Sequence, residues 1–361
     1  MNSPPVALKV ALAAWAEARL YVAAAYIITT AVVNHLEPPP DFTPVSDGLL
    51  AWDGRWYEAI ASGGYVDAAD PALRFFPLWP LLGRAAAWLP GVGAGAALVI
   101  LANAAALAAG VLLHSLVVSE TGDRRLARRA VRLLALAPPS FVLVFAYSEA
   151  LYLTLALSVF LLARRGNWWA AAAAGYLAGL TRPVGALLAV PAVVMAWPER
   201  SQRRPGAVAA VVAPLAGAAT FGLWAQGALG DASAPLDQQR DLRGDFVDPV
   251  SRLVRGAWRG AHGDTGELLH FLAAVVLIAL AVVAARRLSR PMALYAVVSL
   301  ALLLAAENLN SLERYALSAF PLIIAAAMVS RHRWLDRWIV GAVGAGLVCL
   351  TTLAFGGVYV P

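Results

Sequence analysis

Charge is what this chain has least of. Only 14% of its 361 residues are Asp, Glu, Lys or Arg, while 61% are hydrophobic and the mean hydropathy is +0.69. A soluble domain carries roughly 25% charged residues, so a soluble fold is excluded. Lysine is nearly absent, with Lys9 alone among the basic residues. The single cysteine, Cys349, excludes an intrachain disulfide and leaves the redox compartment unreadable. The five histidines, His35, His114, His262, His270 and His332, have no ligand spacing, so no zinc site is expected. There is no Walker loop and no nucleophile elbow. The glycines at 91–95 and 341–346 lack a strand–turn–helix context. Short alternating strands are missing, which excludes a membrane β-barrel.

What is present is a series of apolar runs. They recur from Leu20 to the C-terminus at about the length a helix needs to cross a bilayer, roughly 17–25 residues. The reading is an all-α polytopic transmembrane bundle of about ten or eleven spans, forming one domain over 1–361. Residues 1–19 read as a short amphipathic lead, and Leu20–Val33 as the first span. That span is followed by His35-Leu36-Glu37-Pro38 and not by a small-residue cleavage site, so it is expected to stay as an anchor. Residues 35–90 form the first outer loop. Within it, 73–89, with Pro77 and Pro80, reads as interfacial or re-entrant and not as a crossing. Among the later expected crossings are 133–147 and 150–163, and a polar loop occupies 227–266.

The net charge of +6 does not indicate nucleic acid. The arginines cluster in short loops between apolar runs, as in cytoplasmic loops. With the N-terminus in the cytoplasm and sides alternating, most basic residues fall inside and few acids do. The expected location is therefore the plasma membrane, with the working face outside.

The most informative stretch is polar. Leu50 to Tyr65 places Asp53 beside Trp52, Trp56 and Tyr57. On a helix, Asp53, Trp56, Tyr57 and Ile60 share a face. A carboxylate can take a hydroxyl proton, and aromatic rings can pack on a pyranose or anchor among headgroups. The bland alternative makes Asp53 a helix N-cap and the rings interfacial anchors. Asp47 suits a turn or a site. Glu149 sits between two apolar runs, where its charge is costly unless paired or facing a wet cavity. Arg182, ahead of Pro183, and Arg314 can each bind a phosphate bidentately. A snorkelling arginine and a local Glu313–Arg314 pair are the simpler explanations. Arg74 is a weaker case of the same kind.

These blocks resemble a family. WDGRWYEAIASGGY at 52–65, RFFPLWPLL at 74–82, the stretch 146–185 and LERYALSAFPLIIAAA at 312–327 are similar to the PIG-V mannosyltransferases and their bacterial relatives, of the GT-C superfamily. The resemblance covers most of the chain to about residue 330. It implies a polyprenyl-phosphate-mannose donor used at the outer face and a lipid or glycan acceptor. It also implies a Trp-Asp pair needed for activity, here Trp52 and Asp53. Asp53 takes the family's general-base role in an inverting transfer. The chain is shorter than the eukaryotic members, so their glycosylphosphatidylinositol acceptor is not carried over. The arginine-rich, lysine-poor composition points to a GC-rich bacterial genome.

The expected activity is therefore transfer of mannose, or of another polyprenyl-phosphate-linked sugar. No cofactor is required, and a divalent metal is left open. In this scheme Asp53 acts as base, with Trp52, Trp56, Tyr57, Asp47, Glu149, Arg182, Arg314 and Arg74 binding substrate. A lipid-linked-sugar flippase is the alternative. It should put ionisable groups near the midplane and not near span ends.

Overall fold

The computed structural model describes residues 4–35, 44–65, 67, 70–197, 205–329 and 333–359. The flank His35–Pro38 beyond residue 35, and loop arginines such as Arg203 and Arg204, lie outside them. Every regular element among the described residues is helical. The one strand-like feature is an isolated bridge between Phe246 and Ala306.

The chain divides into two compact units. The first comprises residues 1–72, 77–157 and 327–361; the second comprises 73–76 and 158–326. The first unit opens with α1 (Pro4–Val33), then α2 (Asp53–Gly63), α3 (Leu78–Ala86), α4 (Ala94–Thr121) and α5 (Arg124–Leu136). Helix α6 (Glu149–Arg164) starts in it and runs into the second unit. The second unit continues with α7 (Trp168–Thr181), α8 (Ala189–Ala196), α9 (Pro205–Leu229), α10 (Ala234–Arg243) and α11 (Pro249–Ala261). It ends with α12 (Thr265–Arg287), α13 (Arg290–Leu304), α14 (Leu312–Leu317) and the start of α15 (Phe320–Val329), whose residues from 327 on belong to the first unit. Helix α16 (Arg333–Phe355) belongs to the first unit.

Five of these helices are long and apolar enough to cross a bilayer: α1, α4, α9, α12 and α16. Within their apolar windows only 22% (α1, α12) to 39% (α16) of residues are buried. The remainder turns large side chains such as Leu20, Ile27 and Leu223 outward. In water that would be an apolar patch far beyond what soluble monomers tolerate, so the chain is a helical membrane protein.

Three expectations change. The amphipathic lead and the first span are one helix, so Arg19 lies inside the span. The run 133–147 is not a crossing. Helix α5 stops at Leu136, because Pro138 and Pro139 cannot continue it and bias Ala137 to an extended conformation. A 3-10 turn and an irregular, wholly buried strip follow to Glu149. The side alternation counted through that run therefore does not extend past residue 136. The remaining expected crossings are shorter apolar helices, among them α13, α15 and the broken segment Pro183–Ala196. By contrast, 73–89 holds only the nine-residue α3, about 14 Å of helix and too short to span.

Local chemistry accounts for the ends that matter. Gly122, with φ 69°, closes α4 in a left-handed cap. Asp123 then starts α5, its carboxylate accepting from the backbone N–H groups of Arg125 and Leu126 at 2.8 and 3.0 Å. In the second unit α7 and α9 pack at backbone distance. A Cβ on Gly179 would strike the Pro214 carbonyl, and one on Gly217 the Tyr176 carbonyl.

Inside the first unit a polar network holds α1 to α4. Arg19 donates to Asn103 Oδ1 (2.8 Å), the Leu143 carbonyl (3.1 Å) and the Trp15 carbonyl (3.2 Å), and lies 4.2 Å from the Trp15 ring centre. Asn103 in turn donates to the Val99 and Val144 carbonyls. Among the described residues all of Arg19's hydrogen-bond partners are neutral.

Candidate functional site

In the first unit the strip 146–149 is the platform on which α2 rests. The Ala146 N–H donates to the Leu49 carbonyl at 2.9 Å, and the Trp79 indole donates to the Ala146 carbonyl at 3.1 Å. Tyr147 accepts from the Asp53 backbone N–H at 3.3 Å. The Tyr57 and Ser148 hydroxyls share a 2.8 Å hydrogen bond. Gly54 packs against Ala146, where a Cβ on the glycine would lie in contact at 3.4 Å.

Asp53 is the first residue of α2, and Trp52 occupies the N-cap position. A carboxylate in the first helical turn is favourably placed against the helix dipole, and Asp53 is partly exposed. Trp52 has φ 60° and ψ −119°, the first central position of a type II′ turn, which glycine normally fills. The turn is closed by the Gly54 N–H donating to the Ala51 carbonyl at 3.4 Å. The Trp52 indole donates to the Ala354 carbonyl on α16 at 2.8 Å. Such a backbone costs about 1–3 kcal/mol and persists only where its surroundings enforce it.

The expected shared face is redistributed. Gly54, Tyr57, Ile60 and Ala61 form the buried face of α2, while Asp53 and Trp56 sit at its partly exposed edge. Tyr57 is buried edge-on against Trp79, with ring centres 6.5 Å apart. It supports the helix through this packing and through its hydroxyl's bond to Ser148. Asp47 is clamped by Arg55 at 2.6 Å, and Arg55 also reaches Glu58 at 3.3 Å. The hydrogen bond to Asp47 is the main cause that raises the Arg55 pKa. Glu149 is fully buried at the start of α6, immediately after the platform.

The second unit carries the arginines. Arg182 caps α7 in an extended conformation ahead of Pro183, and Arg314 lies in α14; both are buried. They meet at Tyr315, with guanidinium carbons 5.1 and 5.4 Å from its ring centre. A third cation, Arg243, is closer still at 4.0 Å. Burial is the main cause that lowers the Arg243 pKa, and the charges of Arg182 and Arg314 add to it. Arg243 has no carboxylate partner among the described residues. Three guanidiniums thus gather on one phenol, whose ring face attracts each by cation–π interaction.

No protein-family model matches this chain, and no curated protein matches it.

Sequence reasoning missed Arg243, because its neighbours give no sign of where it goes. Residues 243–247 pair with 305–308. Asn308 N–H donates to the Arg243 carbonyl at 2.9 Å, Glu307 N–H to Asp245 at 3.1 Å, and Val247 N–H to Ala305 at 2.8 Å. That pairing carries the end of α10 onto the loop that leads into α14, which bears Tyr315. Gly244, at φ 71°, makes the turn, with Glu307 packed where a Cβ would sit. Arg74 is not among the arginines found around Tyr315. Its guanidinium lies 4.8 Å from the Phe75 ring centre, and its carbonyl accepts from Gln239 at 2.9 Å.

Ser311, one residue before α14, has φ 64°. It and Trp52 are the two non-glycine residues with positive φ among those described. Each stands at the N-terminus of a helix bearing a candidate residue, Arg314 or Asp53. No three of His, Cys, Asp and Glu gather to hold a metal ion among the described residues.

Proposed function

We propose that this protein is a membrane glycosyltransferase that takes a sugar, mannose by resemblance, from a polyprenyl-phosphate donor. The observation that carries the reading is the convergence of Arg182, Arg243 and Arg314 on Tyr315. A phosphate monoester leaving from a lipid-linked sugar develops negative charge, and fixed guanidiniums stabilise it. The bond made is between the acceptor oxygen and the anomeric carbon, and the bond broken is between that carbon and the phosphate oxygen. Asp53 takes the acceptor hydroxyl's proton, and the lipid phosphate leaves with the electron pair. Supporting this role, Asp53 sits partly exposed in the first turn of a helix whose N-cap is strained. Trp52 and Trp56 are the aromatic groups available beside it. Acceptor and plasma-membrane location belong to the same proposal.

The test uses full-length protein in nanodiscs with sugar-labelled polyprenyl-phosphate-mannose and a membrane lipid extract. Asp53→Asn is expected to lower turnover by about 10²–10⁴-fold, the usual contribution of a general base. Arg243→Ala is expected to cost about 1.5–3 kcal/mol in kcat/KM, the worth of a hydrogen bond to a charged group. Wild-type turnover in Asp53→Asn would remove it as the base. Movement of intact donor across liposomes without transfer would favour the flippase. The flippase reading has one observation of its own, Arg19 inside a span, but that guanidinium is already engaged by three fixed acceptors.

A further inference from the structure

Helix α11 is built inside out for a helix in water. Its charged Arg252 is buried, only 4% exposed, while Val250, Val254 and Trp258 are 69%, 63% and 63% exposed. Those three recur every fourth residue and form one outward stripe along the helix. The inward face is locked to α12. Arg252 forms a two-pronged pair with Glu267 at 2.9 and 3.0 Å and donates to the Glu307 carbonyl at 2.6 Å. Gly256 and Gly260 allow the approach, since a Cβ on Gly260 would lie 2.9 Å from the Leu268 backbone.

The exposed arc also has a polar flank. Ser251, Arg255 and Arg259 follow the stripe around the helix, and all three are exposed. Arg259 reaches Glu267 at 3.6 Å, whereas Arg255 has no ion-pair partner among the described residues. With thirteen residues, α11 is too short to span a bilayer. It is joined through His262–Asp264 to α12, one of the five membrane-length helices, so it lies at the level where that helix leaves the hydrocarbon.

We propose that α11 lies along the bilayer surface as an interfacial anchor. Val250, Val254 and Trp258 enter the boundary between headgroups and acyl chains, and Arg255 meets anionic lipid phosphates. Three features select lipid as the occupant: the apolar face is outward, a cationic flank borders it, and the helix adjoins a span end. Amphipathic surface helices have this arrangement, with arginines on the polar side and Trp on the other. The proposal stands on the membrane character of the chain and is independent of the sugar-transfer reading.

The experiment places one cysteine at a time in a Cys349→Ser background of the full-length protein. Val254→Cys and Arg259→Cys each carry an environment-sensitive fluorophore in nanodiscs with or without anionic lipid. The Val254 label is expected to be quenched several-fold more by a lipid with a nitroxide on carbon five of its acyl chain than by aqueous iodide. The Arg259 label should show the reverse order. Separately, Arg255→Gln is expected to reduce the anionic-lipid dependence of the Val254 signal. A Val254 label open to iodide would overturn the proposal by showing a water-facing helix. A label reached by neither quencher would overturn it as well, by showing the stripe covered by a second copy or another protein.

Discussion

Trp52 shows how much one residue can tell. A bulky side chain at φ 60° is a position that glycine would fill without strain. Trp52→Gly and Trp52→Ala must therefore differ in a telling direction. Both lose the indole bond to Ala354 and the same ring packing, but only alanine keeps the backbone penalty. Trp52→Gly should therefore be more stable than Trp52→Ala by about 1 kcal/mol, read as a higher unfolding temperature in detergent. The opposite order would mean that the turn is not strained. The Trp52-Asp53 pair stands out in the sequence as an acid among aromatics in an apolar chain, whereas the strained turn it occupies does not. That Tyr57 lies on the covered side of α2 and Asp53 at its edge was not legible, since helical spacing groups residues on a face without saying which face the neighbours cover. Arg243 was illegible because only the pairing of 243–247 with 305–308 brings it to Tyr315.

At the scale of elements, composition identified helices well and their lengths poorly. The run 133–147 looks like a crossing by hydropathy, yet Pro138 and Pro139 end α5 and leave a buried irregular strip. The polar stretch 227–266 contains two helices, and the periodicity of α11 was lost in its overall polarity. The alanine- and glycine-rich α7 and α9 pack at backbone distance. Their contact is close enough that Gly217 has the Tyr176 carbonyl where a Cβ would go. The Tyr176 and Thr220 hydroxyls are joined at 3.0 Å across the same pair. Gly217→Val should force the helices apart at a cost of about 1–3 kcal/mol, the usual penalty for overpacking. Gly227→Ala, on the same helix with open space around it, should stabilise by up to about 1 kcal/mol, since alanine is the better helix former. Equal unfolding temperatures for the two variants would show that the helices do not pack this closely.

At the scale of the whole molecule, the membrane character was legible from the scarcity of charge alone. Neither the division into two compact units nor the arginine inside α1 was. Arg19 finds its acceptors far along the chain, 84 residues away at Asn103 and 124 away at Leu143. At about 5–20 residues per second, ribosomes need roughly 4–25 s to make them. During that interval the guanidinium must wait with at most its own-turn Trp15 carbonyl, and an arginine at mid-span costs about 2.5–3.5 kcal/mol on insertion. The first helix is thus a provisional guest of the bilayer until α4 arrives and makes its stay permanent. Nascent chains halted after α1 should integrate less completely than the same chains carrying Arg19→Leu, and extension through residue 157 should close the gap. Equal integration at the shorter length would mean that the helix commits on its own and that Asn103 merely finds it already in place.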